Sequence, residues 1–243
     1  CGNHLKQIGL AVHNYQSTYS VYPMACGMPN YARVELITPI VMMKQYSAFT
    51  QILPYLEQRS IFDAFNFKVR MEDPYIFPNA GNGMEANLTA MAATLSAFLC
   101  PSDAASGDPG WTGGVNYRVN LGADRWDTLY DAPTNGPLMS YKCVRISAIT
   151  DGLSNTVAFG EKLRGRAGGT AANPRTDMFF GGLGSSSTAD EAYDACSAGV
   201  DAVRFVPSAG LAWSVGTLSQ TCYNHVIGPN GTTPDCIMPI SNP

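Results

Sequence analysis

The sequence predicts an α+β protein built on one long N-terminal helix, and three observations carry that assignment. Apolar residues recur at steps of three and four over Leu5, Ile8, Val12, Tyr15 and Tyr19, which places them on one stripe of a helix. Residues Val115 to Gly122 instead alternate Val115, Tyr117, Val119 and Leu121 with Asn116, Arg118 and Asn120, the period of a half-buried strand. Seven cysteines are scattered without a C-x-x-C pair. That spacing suits disulfides of an oxidising compartment, with one thiol left over, better than a zinc or redox site. The expected architecture is a spine helix over 1–23 packed on an antiparallel sheet, followed by a globular α+β remainder over 24–243 with long, disulfide-pinned loops.

Each element has its own justification. The helix carries Lys6, Asn14, Gln16 and Ser20 opposite its apolar stripe, and about 18 residues at about 1.5 Å each make a rod of about 27 Å. Ser17, Thr18 and Ser20 weaken helical propensity and Pro23 disfavours helix at Tyr22, so it should stop near Tyr19 to Val21. No Ser, Thr or Asp caps its start, and the expectation is a helix entered from further upstream. Val34 to Met43 contains Pro39 and reads as an edge strand or extended loop. Ser47 to Phe67 is helical but interrupted by Pro54, which predicts two short helices or a kink, with Pro54 near the start of the second piece.

Further on, Asn79 to Asn82 is a turn, and Met84 to Ser96 lacks Gly and Pro and reads as one helix. Phe98 to Asp103 is a strand end and tight turn. Loops are expected over Gly107 to Gly114 and Asp124 to Pro137, a strand over Val157 to Lys162, surface loop over Gly165 to Asp190, and short strands at Val203 to Val206 and Leu211 to Val215.

Composition narrows the function. Charged residues are 14% of the chain against about 25% in ordinary soluble domains, so the surface is either hydrated by neutral polar groups or covered by neighbours. The net charge of −4 has no basic run in it, which argues against nucleic acid and anionic membrane as partners. No apolar run of 18 residues occurs, so nothing in these residues spans a membrane as a helix.

Catalysis finds no set of residues, and the reading is of a chain that is not an enzyme and takes no cofactor. His4 and His13 stand nine apart, missing the spacing of a helical metal pair, and His225 has no G-x-S-x-G elbow to serve. Cys100 has no histidine near it in sequence and reads as a disulfide partner. Asp151, Ser154, Asn155 and Glu161 offer oxygen ligands for calcium. The same residues suit a hydrogen-bonded turn, which the single certain carboxylate in the loop favours. Cys222 and Cys236 flank the turn-forming Gly228 to Gly231, and closing about 15 residues restricts the unfolded chain by about 3 kcal/mol, so these two are expected to pair.

Several strings carry a resemblance. Cys1 to Tyr15 (CGNHLKQIGLAVHNY), Leu53 to Gln58 (LPYLEQ), Phe98 to Asp103 (FLCPSD), Ile149 to Thr156 (ITDGLSNT) and Tyr223-Asn224-His225-Val226 with Pro229-Asn230 together resemble a large planctomycete family of surface proteins. Members have prepilin-type N-termini and are related to the pseudopilins of type II secretion. The resemblance implies a pilin-like fold, an upstream cleavage site and membrane helix, and a cell-surface or extracellular homopolymer put together by inner-membrane machinery. It further implies a Cys1 to Cys100 bond pinning the helix. For a filament built around that helix, the expectation is that Leu5, Ile8 and Val12 pack on the domain while His4, Gln7 and Ala11 meet neighbouring subunits.

Of Cys26, Cys143 and Cys196, at most two can then pair within the chain. The family's terminal Gly-Gly segment and D-G-S-V strand are missing after Asn230. The competing expectation is a monomeric, membrane-anchored surface or periplasmic ligand-binding module.

Overall fold

The computed structural model describes residues 1–27, 45–69, 71, 74, 84–104, 110–123, 135–180, 188–198, 205–226, 228 and 230–237. The stretch expected to be extended over 34–43, the turn at 79–82 and most of the 124–137 loop lie outside them. Helix α1 runs Gly2–Tyr19, with Ile8, Ala11, Val12 and Tyr15 buried. Leu5 and Tyr19 pack partly buried on the same core. The helix ends where Ser20 turns to φ 61° and its N–H donates to the Gln16 carbonyl, a left-handed cap made without glycine. The chain then continues as a buried segment, with Tyr22 N–H on the Val144 carbonyl at 2.8 Å and Ala25 N–H on the Met139 carbonyl at 2.9 Å.

The helix does not lie chiefly across a sheet. Its main neighbours are helical: α2 (Ala48–Ile52), the 3₁₀ turn Leu53–Leu56 and the 3₁₀ turn Ser96–Phe98. The aromatic end of the stripe explains this, because Tyr15 packs on Tyr19 at 4.6 Å and on Tyr55 of the 3₁₀ turn at 6.1 Å between ring centroids. Ser47 caps α2 by accepting from Thr50 N–H at 3.2 Å. Pro54 sits in the first turn of the 3₁₀ segment, where its missing N–H costs no ladder bond. Helix α3 (Arg59–Ala64) follows a left-handed Glu57 at φ 59°.

Residues 84–98 are not one helix. They form a 3₁₀ turn at Met84–Asn87, the single-turn α4 (Leu88–Met91) and the Ser96–Phe98 turn. Tertiary partners take the groups a longer helix would need. Gly113 N–H donates to the Met91 carbonyl at 2.7 Å and Trp213 Nε1 to the Ala93 carbonyl at 2.8 Å. Asn87 is buried, accepting from Asn66 N–H at 2.7 Å and donating to Tyr46 Oη at 3.1 Å.

The sheets are small and mixed rather than antiparallel throughout. Strand β1 (Cys26–Gly27) pairs antiparallel with β2 (Tyr46–Ser47). Strand β3 (Tyr117–Asn120) runs antiparallel to β4 (Phe159–Glu161) and parallel to β7 (Cys222–Tyr223). In the second three-stranded sheet, β5 (Met178–Phe180) runs antiparallel to β6 (Phe205–Val206) and parallel to β8 (Asp235–Ile237).

Strand β3 is buried along its whole length, not on alternate residues. Its polar positions are covered by a hydrogen-bonded layer: Arg118 Nη1 donates to the Ser219 carbonyl at 3.1 Å and Asn120 Nδ2 to the Val157 carbonyl at 2.7 Å. Gly210, at φ +76°, admits the Arg118 guanidinium, which a Cβ there would meet at 2.7 Å. Residues 211–215 are turns around the buried Trp213 rather than a strand, joined to β2 by the Val215–Tyr46 bridge. Within the stretch expected to be surface loop lies β5, and helix α5 (Ala189–Ala198) begins at its end.

Candidate interface on the N-terminal helix

The N-terminal helix is fixed at both ends. Cys1 is joined to Cys100 with a Cα separation of 4.9 Å, and Tyr117 Oη donates to the Cys1 carbonyl at 3.3 Å. His4 Nδ1 donates to the Leu99 carbonyl at 2.8 Å while its ring meets Tyr117 edge-on at 6.4 Å. At the far end stand the Tyr15, Tyr19 and Tyr55 rings. A rod held in this way presents one invariant face to its surroundings.

That face differs from the expected one. His4 is half-buried and engaged with the domain, and Ala11 is fully buried, so of the expected trio only Gln7 is exposed. The reason is the width of the buried stripe: Ile8, Ala11, Val12 and Tyr15 span more than the single row that Leu5, Ile8 and Val12 suggested. Among the exposed residues of the helix, Asn3, Lys6, Gln7, Leu10, Asn14 and Ser17 form one row at helical spacing, with Gly2, His13 and Thr18 exposed beside it. Leu10 stands in the middle of it, 63% exposed. An apolar residue off the main stripe and among polar helix neighbours is the sequence signal for this face.

Beside this face, α1 borders a cleft of about 90 Å³ lined by Gly9, Val12, His13, Leu138, Ile149 and Phe159. Leu153 lines the cleft and Val157 follows shortly after, both exposed. The ITDGLSNT string builds this wall as a turn. Gly152 at φ 83° allows Asn155 N–H to reach its carbonyl at 3.0 Å. Asn155 Nδ2 donates to the Asp151 carbonyl and Thr156 Oγ1 to the Gly152 carbonyl, each at 3.0 Å.

The four calcium candidates are not shown gathered around one point. Asp151, Ser154 and Asn155 are exposed in the turn, whereas Glu161 on β4 places its carboxylate within 4.8 Å of the Cys1 and Cys100 sulfurs. Those sulfurs are bonded to each other and offer no thiolate to a metal.

Other motif residues hold the frame. Asp103 Oδ2 accepts from Asn116 Nδ2 at 2.5 Å and from Arg164 main-chain N–H at 3.1 Å, with Arg164 Nε at 3.5 Å. Asn116 Oδ1 in turn accepts from Cys100 N–H at 2.9 Å. His225 Nδ1 lies 3.2 Å from Tyr223 Oη.

The expected Cys222 to Cys236 bond is not formed. Cys236 on β8 is joined to Cys196 on α5, while Cys222 on β7 points into the core, its Sγ 3.9 Å from the Ala25 carbonyl. The two cysteines belong to different sheets, so the turn between them does not bring them together. Cys26, Cys143 and Cys222 remain buried thiols. Burial pushes the Cys222 thiol up to about 12 and raises that of Cys26 as well, which makes neither a nucleophile.

No helix among the described residues is long and apolar enough to cross a membrane. A family model described as "Protein of unknown function (DUF1559)" matches residues 1–238. No curated protein and no solved structure matches the chain.

Proposed function

The chain belongs to the DUF1559 family, and on that premise we propose that it is a structural subunit of an extracellular filament, pilus or pseudopilus. The observation that carries the reading is the pinned helix with an outward row that is charged only at Lys6 and centred on an exposed Leu10. Covering such a side chain contributes about 1.5–3 kcal/mol, and in a polymer the contribution recurs at every subunit. The cleft beside it, with Leu153 on its wall, extends the apolar surface. A charged fraction of 14% fits a chain whose surface is spent largely on neighbours.

The resemblance to prepilin-type proteins supports the same reading. In it, the domain has a pilin-like fold, the assembly is a homopolymer at the cell surface, and inner-membrane machinery puts it together. Electron microscopy of cell-surface material tests this directly. Ordered fibres labelled by antibody to the chain are expected; labelled, dispersed particles would instead favour a monomeric, membrane-anchored binding module.

A further inference from the structure

Two surfaces of the chain that the helix does not use are complementary to one another. The first is a cavity of about 390 Å³ walled by Met139, Lys142, Val144, Arg145 and Ala148, with the exposed Ile146 on the same segment. Two cations line it and no described carboxylate does. The second is α5, which Cys196 clips to β8. Its Asp190, Tyr193 and Asp194 are all exposed and, at i, i+3 and i+4, share one face. Glu191 is occupied in a capping box, exchanging hydrogen bonds with Thr188 at 2.7 and 3.2 Å. Among the described residues neither Lys142, Arg145, Asp190 nor Asp194 has an ion-pair partner.

We propose that Tyr193, flanked by Asp190 and Asp194, docks into the Lys142 and Arg145 cavity of a second copy of this chain. The inference rests on the filament reading and names a contact for it. An aromatic anchor entering a concave apolar site between opposite charges is the usual composition of an interface centre, and a cavity of this volume takes a group of that size. Because the two surfaces are different parts of one chain, the contact is heterologous and repeats head to tail. Such a contact gives an open fibre or a ring, not a closed two-fold dimer.

The test is charge exchange followed by sedimentation velocity and electron microscopy in low salt. Asp190→Lys/Asp194→Lys and Lys142→Glu/Arg145→Glu should each lower the assembled fraction at least tenfold, and an equimolar mixture of the two should restore it, since each then meets a partner of opposite sign. Raising salt to about 0.5 M should weaken wild-type assembly. Arg145→Glu alone, at an exposed position, carries the same test if the double variant fails to fold. Fibres indifferent to both charge changes, or two defective variants that mixing fails to rescue, would overturn this contact and leave the filament reading standing. A wild-type chain that stays monomeric at every concentration would overturn this contact, and labelled, dispersed particles at the cell surface would overturn the filament reading as well.

Discussion

Leu10 and Ala11 are adjacent in the sequence, yet Leu10 is turned to solvent and Ala11 into the core, 63% and 1% exposed. The pair separates assembly from folding. Leu10→Glu places a charge on the outer row and should abolish fibres while leaving the thermal midpoint of the monomer within a degree or two. Ala11→Glu buries an unpaired carboxylate and should cost several kcal/mol, visible as loss of the urea transition. Normal fibres from Leu10→Glu would remove the outer row from the interface.

The cysteine pairing gives a second prediction. Peptide mapping without reduction should recover Cys1 linked to Cys100 and Cys196 linked to Cys236, with Cys26, Cys143 and Cys222 alkylated only after denaturation. In the chain-entropy account, closures with sequence separations of 99 and 40 residues restrain the unfolded chain by about 4.7 and about 4 kcal/mol. Cys1→Ser should therefore lower stability by at least as much as Cys196→Ser, and a reversed order in urea titration would contradict this.

A third prediction concerns the FLCPSD turn. The Asp103 and Arg164 side chains are 6% and 8% exposed, and Asp103 also takes hydrogen bonds from Asn116 and the Arg164 backbone. Asp103→Ala removes a buried carboxylate that takes part in an ion pair and accepts two hydrogen bonds, which should cost about 3–5 kcal/mol. Asn116→Ala should cost about 1–3 kcal/mol by leaving Cys100 N–H without its acceptor. Equal urea midpoints for the two variants would show that the ion pair adds nothing beyond the hydrogen bonds.

How far these features were legible depends on whether the information was local. The stripe of α1 and the break at Pro54 follow from the period and from a missing N–H, both properties of neighbouring residues. The division of 84–98 does not, because the Gly113 and Trp213 donors that take its carbonyls come from elsewhere in the chain. Alternation predicts strand β3, but its polar face is buried because the 218–219 carbonyls meet Arg118. Helix α5 was hidden by its composition, ADEAYDACSA, which has no continuous apolar face and follows a Gly- and Ser-rich stretch. The same lack of an apolar stripe leaves Cys196 unmarked as the partner of Cys236, and with it the acidic face around Tyr193.

The last prediction is an alkaline loss of stability. Burial pushes the Cys222 thiol from 9.0 up to about 12 and raises that of Cys26 in the same direction. Burial likewise pushes the Tyr46 and Tyr223 phenols from 10.0 up to about 12. For all four, the folded state holds its proton more tightly than the unfolded chain does. The stabilisation is therefore complete below pH 9 and is lost as pH rises from 9 towards 12, since only the unfolded chain ionises in that window. Each group contributes a slope of about 1.4 kcal/mol per pH unit over its own interval, the thiols first and the phenols joining above pH 10. Urea midpoints measured from pH 8 to pH 11 should fall progressively more steeply. Cys222→Ala should start lower, having lost a buried side chain, yet fall less steeply by one proton between pH 9.5 and pH 11. An unchanged slope in that variant would mean that Cys222 is not a buried thiol in the folded protein.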